Sequence, residues 1–128
     1  MAQSPAIRVF WFGEMPGFLD RWHDCGRDDA DLKSLQALMM LDPLGEGVIS
    51  DTGGVRKYRF APVGRGKSGA LRVWYHYYPR HSAIMLITAY LKNETENLSA
   101  AAKKRMRQLA PALEARVARH FILRRKKS

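Results

Sequence analysis

The sequence predicts an α+β fold, with N-terminal helices and a C-terminal helix packed on one face of a small antiparallel β-sheet. Three observations predict it. The chain has 128 residues, 46% of them hydrophobic, so one core can form without disulfide staples. Apolar residues recur at helical spacing before residue 42 and after residue 98. Between those stretches, β-branched and aromatic residues crowd into three short extended runs. A large multidomain enzyme, a disulfide mini-protein and a disordered acidic tail are thereby excluded.

The elements follow in order. Ile7 to Phe12 is β-branched and aromatic, a first strand. Pro16 to Cys25 suits a short helix with Phe18, Leu19 and Trp22 on one side. Residues 28–41 predict a second helix. Asp28, Asp29 and Asp31 complement the positive end of its dipole, and Leu32, Leu35, Leu38 and Met39 form its apolar stripe. Asp42-Pro43-Leu44-Gly45 ends it. Residues 55–62, 70–79 and 83–91 are the three later strands, the last two close enough for an antiparallel hairpin. Ser99 is placed to cap a final helix whose stripe runs Leu98, Ala102, Met106, Leu109, Leu113, Val117, Phe121. The stripe stays in phase past Pro111, which predicts a kink or restart and divides a main domain, 1–110, from a basic helical extension and tail, 111–128.

Charge is distributed unevenly along this order. Residues 1–54 carry four basic and nine acidic side chains; residues 55–98 carry eight and two; residues 99–128 carry ten and one. The excess of +10 is therefore confined to the second half, which points to a surface that binds a polyanion. A single cysteine, Cys25, cannot form an internal bridge, and no apolar run approaches a membrane span. With no leader-like N-terminus, a cytoplasmic protein without membrane partners is expected.

Alternation along the strands suggests where the polyanion sits. Tyr58, Phe60, Val73 and Tyr75 share the more apolar parity and are expected under the helices. Lys57, Arg59, Arg72, Trp74 and His76 then stand on an uncovered face, as cations for phosphates, a ring to stack on an unpaired base, and an imidazole titrating near neutrality. The same arrangement also fits an ordinary solvated face. The strand at 83–91 is apolar on both parities, so its register is not readable. Gly66-Lys67-Ser68 does not make a nucleotide loop, because Ala61 stands where the pattern needs glycine and a strand follows instead of a helix. Arg65 and Lys67 remain candidates for phosphate contact, and Lys103, Lys104, Arg105 and Arg107 add positive charge at the start of the last helix. His23, His76, His81 and His120 lack an accompanying carboxylate or cysteine cluster, so no metal or cofactor is expected.

Four blocks in residues 52–99 carry a resemblance: Thr52-Gly53-Gly54-Val55-Arg56-Lys57-Tyr58-Arg59, Gly64-Arg65-Gly66-Lys67-Ser68-Gly69, Arg72-Val73-Trp74-Tyr75-His76-Tyr77, and Leu86 to Glu94. In this order they resemble the RelE/HigB superfamily of bacterial toxins, nearest to its RelE-like HigB branch. The resemblance implies that residues 1–110 form a RelE-like toxin domain of a type II toxin–antitoxin system. Its activity would be that of a metal-independent mRNA endoribonuclease (an mRNA interferase) that enters the ribosomal A site and inhibits translation. A cognate antitoxin, of helix-turn-helix or acidic helical type, would block it.

By the same resemblance Lys57, Arg59 and Arg72 bind and activate the scissile phosphate, and Lys92 falls in the block after the last strand. Where the best-known members carry an arginine and then a tyrosine, this chain has Asn93 and Ser99. The general acid and base are therefore left among Lys92, His76 and either Tyr75 or Tyr77, with Arg56 and Asn93 as further RNA contacts. A non-catalytic RNA- or DNA-binding module using the same basic face, or a degenerate toxin homologue, is the alternative.

Overall fold

The computed structural model describes residues 6–62, 70–91 and 99–127, with side chains of the last helix described as far as Phe121. The chain runs β1 (Trp11–Glu14), α1 (Phe18–Asp24), α2 (Asp29–Leu41), β2 (Arg56–Phe60), β3 (Leu71–Tyr78), a 3-10 turn (Pro79–His81), β4 (Ala83–Leu91) and α3 (Ala100–Lys127). This is the α+β order read from the sequence. Two helix starts are made by the residues expected. Asp28 accepts from the Asp31 amide at 2.9 Å while the Asp31 carboxylate accepts from the Asp28 amide at 3.2 Å, a reciprocal cap. At α3, Ser99 Oγ accepts from the Ala102 amide at 3.1 Å. Pro111 lies inside α3, which continues through it as one helix.

The four strands form one sheet in the order β1-β4-β3-β2. The sheet is mixed, not purely antiparallel as expected, because β1 pairs parallel with β4. Strands joined by a short turn must run antiparallel, as β3 and β4 do, but β1 and β4 are joined by no turn and are free to run the same way.

A second correction concerns the helices, which pack on both faces of the sheet. Against the first face, α1 and α2 bury Phe18, Trp22, Leu35 and Met39 with Phe60, Leu71, Val73, Tyr75, Ile84 and Leu86. Against the second, α3 lays Met106 beside Val55, Trp74 and Tyr90, and Val117 and Phe121 beside Tyr78, Ala83 and Met85. The physical reason is visible in β4. A bulge opposite Trp74 and Tyr75 switches its parity, so Ile84, Leu86 and Ala89 face α1 and α2 while Met85, Ile87 and Tyr90 face α3. A strand apolar on both sides needs cover on both sides.

Gly53 lets α3 come close. Its φ is +75°, and a Cβ there would sit 3.1 Å from Ala110 Cβ and 3.2 Å from Arg107 Cα. Arg107 fastens the approach by donating to the Asp51 carbonyl at 2.7 Å. Leu109, assigned to the apolar stripe by spacing, lies 49% exposed.

Candidate nucleic-acid interface

The alternation read along β3 holds. Leu71, Val73, Tyr75 and Tyr77 belong to the first face, and Arg72, Trp74, His76 and Tyr78 to the second. What changes is the second face itself, which α3 splits. At its middle, Trp74 is 8% exposed, packs edge-on to Tyr90 with ring centroids 5.0 Å apart, and donates from Nε1 to the Tyr90 hydroxyl at 3.2 Å. Trp74 therefore offers no open ring for a base to stack on. This corrects the expectation that it stands on an uncovered face, and its physical cause is the cover provided by α3. To either side of this apolar block lie two chemically different regions.

The first is basic. Arg59 and Arg72 are direct partners across β2 and β3, with Lys57 two residues along β2, opposite Trp74. Arg59 is exposed, while Lys57 and Arg72 are half-buried. Two guanidiniums placed opposite each other repel, and Glu46 relieves this by holding Arg72 Nε at 2.9 Å from its Oε1. The carboxylate is carried there by a backbone clip along β2: the Glu46 amide donates to the Lys57 carbonyl at 2.8 Å, and Val48 bridges Arg56. Gly45 makes that clip possible, with φ +57° and the Lys57 carbonyl and Tyr75 hydroxyl where a Cβ would stand. Arg72 Nη1 remains solvent-free with no hydrogen-bond partner. Among the described residues neither Lys57 nor Arg59 has a carboxylate at ion-pair distance.

The second region is a pocket of about 310 Å³, at the far end of β3, between the Gly53–Gly54 backbone, the 3-10 turn and α3. His76 and Tyr78 line it, their rings stacked at 5.7 Å, with Arg56, Arg80, His81 and Glu114 around them. His76 is 5% exposed, and burial holds its imidazole below the ordinary value of 6.5, against a smaller opposing pull from Glu114. Burial, aided by Glu114, pushes the Tyr78 phenol up to about 12, so it stays a proton donor at neutral pH. Neither His76 Nε2 nor the Tyr78 hydroxyl has a partner.

No known family model matches the chain. Arg59, Arg72 and Lys57 come together as expected from strand pairing. His76 does not join them: four residues along β3 is about 13 Å, with the Trp74 block between. Tyr75 lies fully buried on the first face, donating to the Pro43 carbonyl at 2.7 Å, with burial raising its pKa far above the ordinary 10. That corrects its candidacy as an RNA contact or proton carrier, since α2 and the 43–46 segment enclose it. Tyr77 is on the same parity and half-buried, at the edge of the pocket. Arg56 borders the pocket, but it pairs with Tyr75 across the strands and its guanidinium donates to the Leu44 carbonyl at 3.1 Å.

Lys103 is half-buried and Lys104 exposed, within one turn before Met106. Arg65, Lys67, Lys92 and Asn93 lie outside the described residues. Glu46, Tyr78, Arg80 and Glu114 were not singled out by sequence reasoning. Glu46 sits between two glycines with no periodic signal, and Glu114 was legible only as the single acid among ten bases after residue 98.

Among the described residues no group of three or more His, Cys, Asp or Glu side chains could hold a metal ion. Among them, too, no helix is long and apolar enough to cross a membrane.

Proposed function

We propose that this chain is a ribosome-dependent mRNA endoribonuclease, the toxin of a type II toxin–antitoxin pair of the RelE/HigB kind, and that Arg72, Arg59 and Lys57 grip the scissile phosphate. One observation carries the reading: three cations converge from paired strands, and among the described residues a single carboxylate, Glu46, balances one of them. The sequence resemblance and the concentration of positive charge after residue 54 support it.

The chemistry needs little else from the protein at that point. The RNA 2′-hydroxyl gives up its proton to a general base as its oxygen attacks the adjacent phosphorus in line, forming a 2′,3′-cyclic phosphate. The bond to the 5′-oxygen breaks, and that oxygen leaves with a proton. Charge grows on the non-bridging oxygens in the transition state, and Arg72 with Arg59 offsets it. A phosphate entering the cluster competes with Glu46 for Arg72. Of the acid–base candidates, Lys92 follows β4 directly, whereas His76 and Tyr75 lie elsewhere.

Induced expression of the chain is expected to arrest growth and leave discrete, translation-dependent cuts in messenger, read by primer extension. Arg72→Ala removes both with the fold intact. Wild-type cutting by that variant would refute the assignment.

A second reading is favoured by one observation. The phenol beside the three cations, Tyr90 opposite Arg72 on β4, is 8% exposed and accepts from Trp74, and among the described residues no imidazole or unpaired carboxylate joins them, which suits a binding module that does not cleave. Growth arrest without discrete cuts would select it.

A further inference from the structure

The acid that meets Arg72 is mounted differently from those in the acidic half of the chain. Arg21–Asp24, His23–Asp29 and Arg27–Asp31 join residues no more than six positions apart, at 3.8–4.0 Å. Glu46 and Arg72 stand twenty-six positions apart and meet at 2.9 Å. The stretch that carries Glu46 is fastened on both sides of it. The Glu46 amide donates to the Lys57 carbonyl at 2.8 Å, the Lys57 amide to the Gly47 carbonyl at 3.2 Å, and the Ile49 amide to the Val55 carbonyl at 2.8 Å. Just before it, the Tyr75 hydroxyl donates to the Pro43 carbonyl at 2.7 Å and Arg56 to the Leu44 carbonyl at 3.1 Å. Relief of repulsion between Arg59 and Arg72 does not call for so firm a mount, because Arg59 is exposed and water and salt screen it.

A guanidinium offers carboxylate and phosphate oxygens the same N–H donors, and the bond to either is charge-assisted. Glu46 therefore holds a donor that a phosphate would need. It is also the more exposed of the pair, 37% against 16% at the side chain, so a strand arriving from solvent reaches the acid more readily than the guanidinium. Once displaced, the carboxylate has lost its partner and stays beside the incoming phosphate, like charge against like charge. Both effects subtract from affinity. Among the described residues Lys57 and Arg59 have no such partner, so the cluster has two open cations and one that is occupied.

We propose that Glu46 is an autoinhibitory latch, a built-in rival for RNA phosphate that keeps Arg72 occupied in the free protein and yields to a strand already held by Lys57 and Arg59. The latch rests on the reading of the Arg72 cluster as an RNA grip, and it gives that site its regulation. A chain with a net charge of +10 binds RNA of any sequence, and the latch weakens that background by withholding one cation until the other two are engaged.

The test is binding of a labelled, 2′-O-methylated single-stranded oligoribonucleotide, which cannot be cleaved, to the full chain by fluorescence anisotropy. Glu46→Gln removes the charge but leaves every main-chain bond of the mount in place, and its melting temperature confirms the fold. It is expected to bind about fivefold tighter than the wild type. Glu114→Gln removes the same charge away from Arg72 and changes affinity less than about twofold. In an Arg72→Ala background the gain from Glu46→Gln falls to that same level, as a double-mutant cycle reads it. In the wild type, NMR signals of the Arg72 Nε–H and the Glu46 carboxyl carbon are expected to move together as the oligonucleotide saturates. The latch is overturned if Glu46→Gln binds no tighter, if its gain persists in full without Arg72 or is matched by Glu114→Gln, or if the Glu46 signal stays fixed while that of Arg72 moves. Weaker binding by Arg72→Ala with no gain from Glu46→Gln removes the latch alone, whereas unchanged binding by Arg72→Ala removes the grip and the latch together.

Discussion

The two ends of the second sheet face begin from the same strand alternation and finish as opposite environments. At one end Arg72 and Arg59 face each other across β2 and β3, partly in solvent, with Glu46 on Arg72 and, among the described residues, no acid paired with Lys57. At the other, His76 and Tyr78 lie nearly buried beside α3, with Arg80, His81 and Glu114 bordering the same pocket. The divide is the Val55–Trp74–Tyr90 block, where Met106 of α3 settles on the sheet. The difference teaches that a polar parity along a strand does not define an open surface. A helix whose stripe is apolar enough will cover whichever part of that parity is aromatic, and it leaves uncovered the part whose cations would be costly to bury.

The largest expected effect tests that divide. Trp74→Ala should cost about 3–5 kcal/mol of stability, the loss of a large buried ring, measured by chemical denaturation. A Trp standing on an open face would cost a fraction of that, and such a result would erase the boundary between the two ends.

A smaller effect separates the covered end by its protonation. Burial lowers the folded-state pKa of His76 below its ordinary 6.5. Between those two values the unfolded chain binds more protons than the folded one, so stability is full above about 6.5 and is lost as pH falls through that window. In His76→Gln the melting temperature should fall less steeply from pH 7 to pH 5 than in the wild type. Parallel pH profiles would mean that the imidazole is not buried by α3.

The smallest effect belongs to the basic end. Arg72→Ala should change stability by less than about 1 kcal/mol, because its bond to Glu46 is partly solvated and relief of the repulsion from Arg59 compensates. A loss several times larger would make Arg72 a structural residue.

How far the sequence disclosed this arrangement can be judged at particular residues. Ser99 announced its helix cap, since a cap is a local contract between side chain and nearby amides, whereas Asp28 was legible as a charge at a helix start and proves to be the cap itself. The parity of β3 was legible, as was the core made of Phe60, Val73 and Tyr75. The parallel pairing of β1 was not, because nothing local encodes which distant strand it meets. The placement of α3 was the more consequential miss. Its cue was present in β4, whose residues 83–91 are apolar on both parities, and read as buried on both faces they require two covers. The bulge at Trp74/Tyr75 hid that cue by shifting the alternation midway. At the site, Lys57, Arg59 and Arg72 were legible because strand pairing follows from alternation. Glu46 was not, since its position depends on a clip across β2 and on the left-handed turn at Gly45.

The central claim is that the uncovered end, Arg72 with Arg59 and Lys57, is where the RNA phosphates sit. The most direct measurement is the salt dependence of single-stranded RNA binding by the intact protein and by the double variant Arg59→Ala, Arg72→Ala. Removing one phosphate-neutralising cation should flatten the slope of log affinity against log salt by about 0.7, so the double variant is predicted to bind more weakly with a slope shallower by about 1.4. Unchanged affinity and an unchanged slope would contradict the claim.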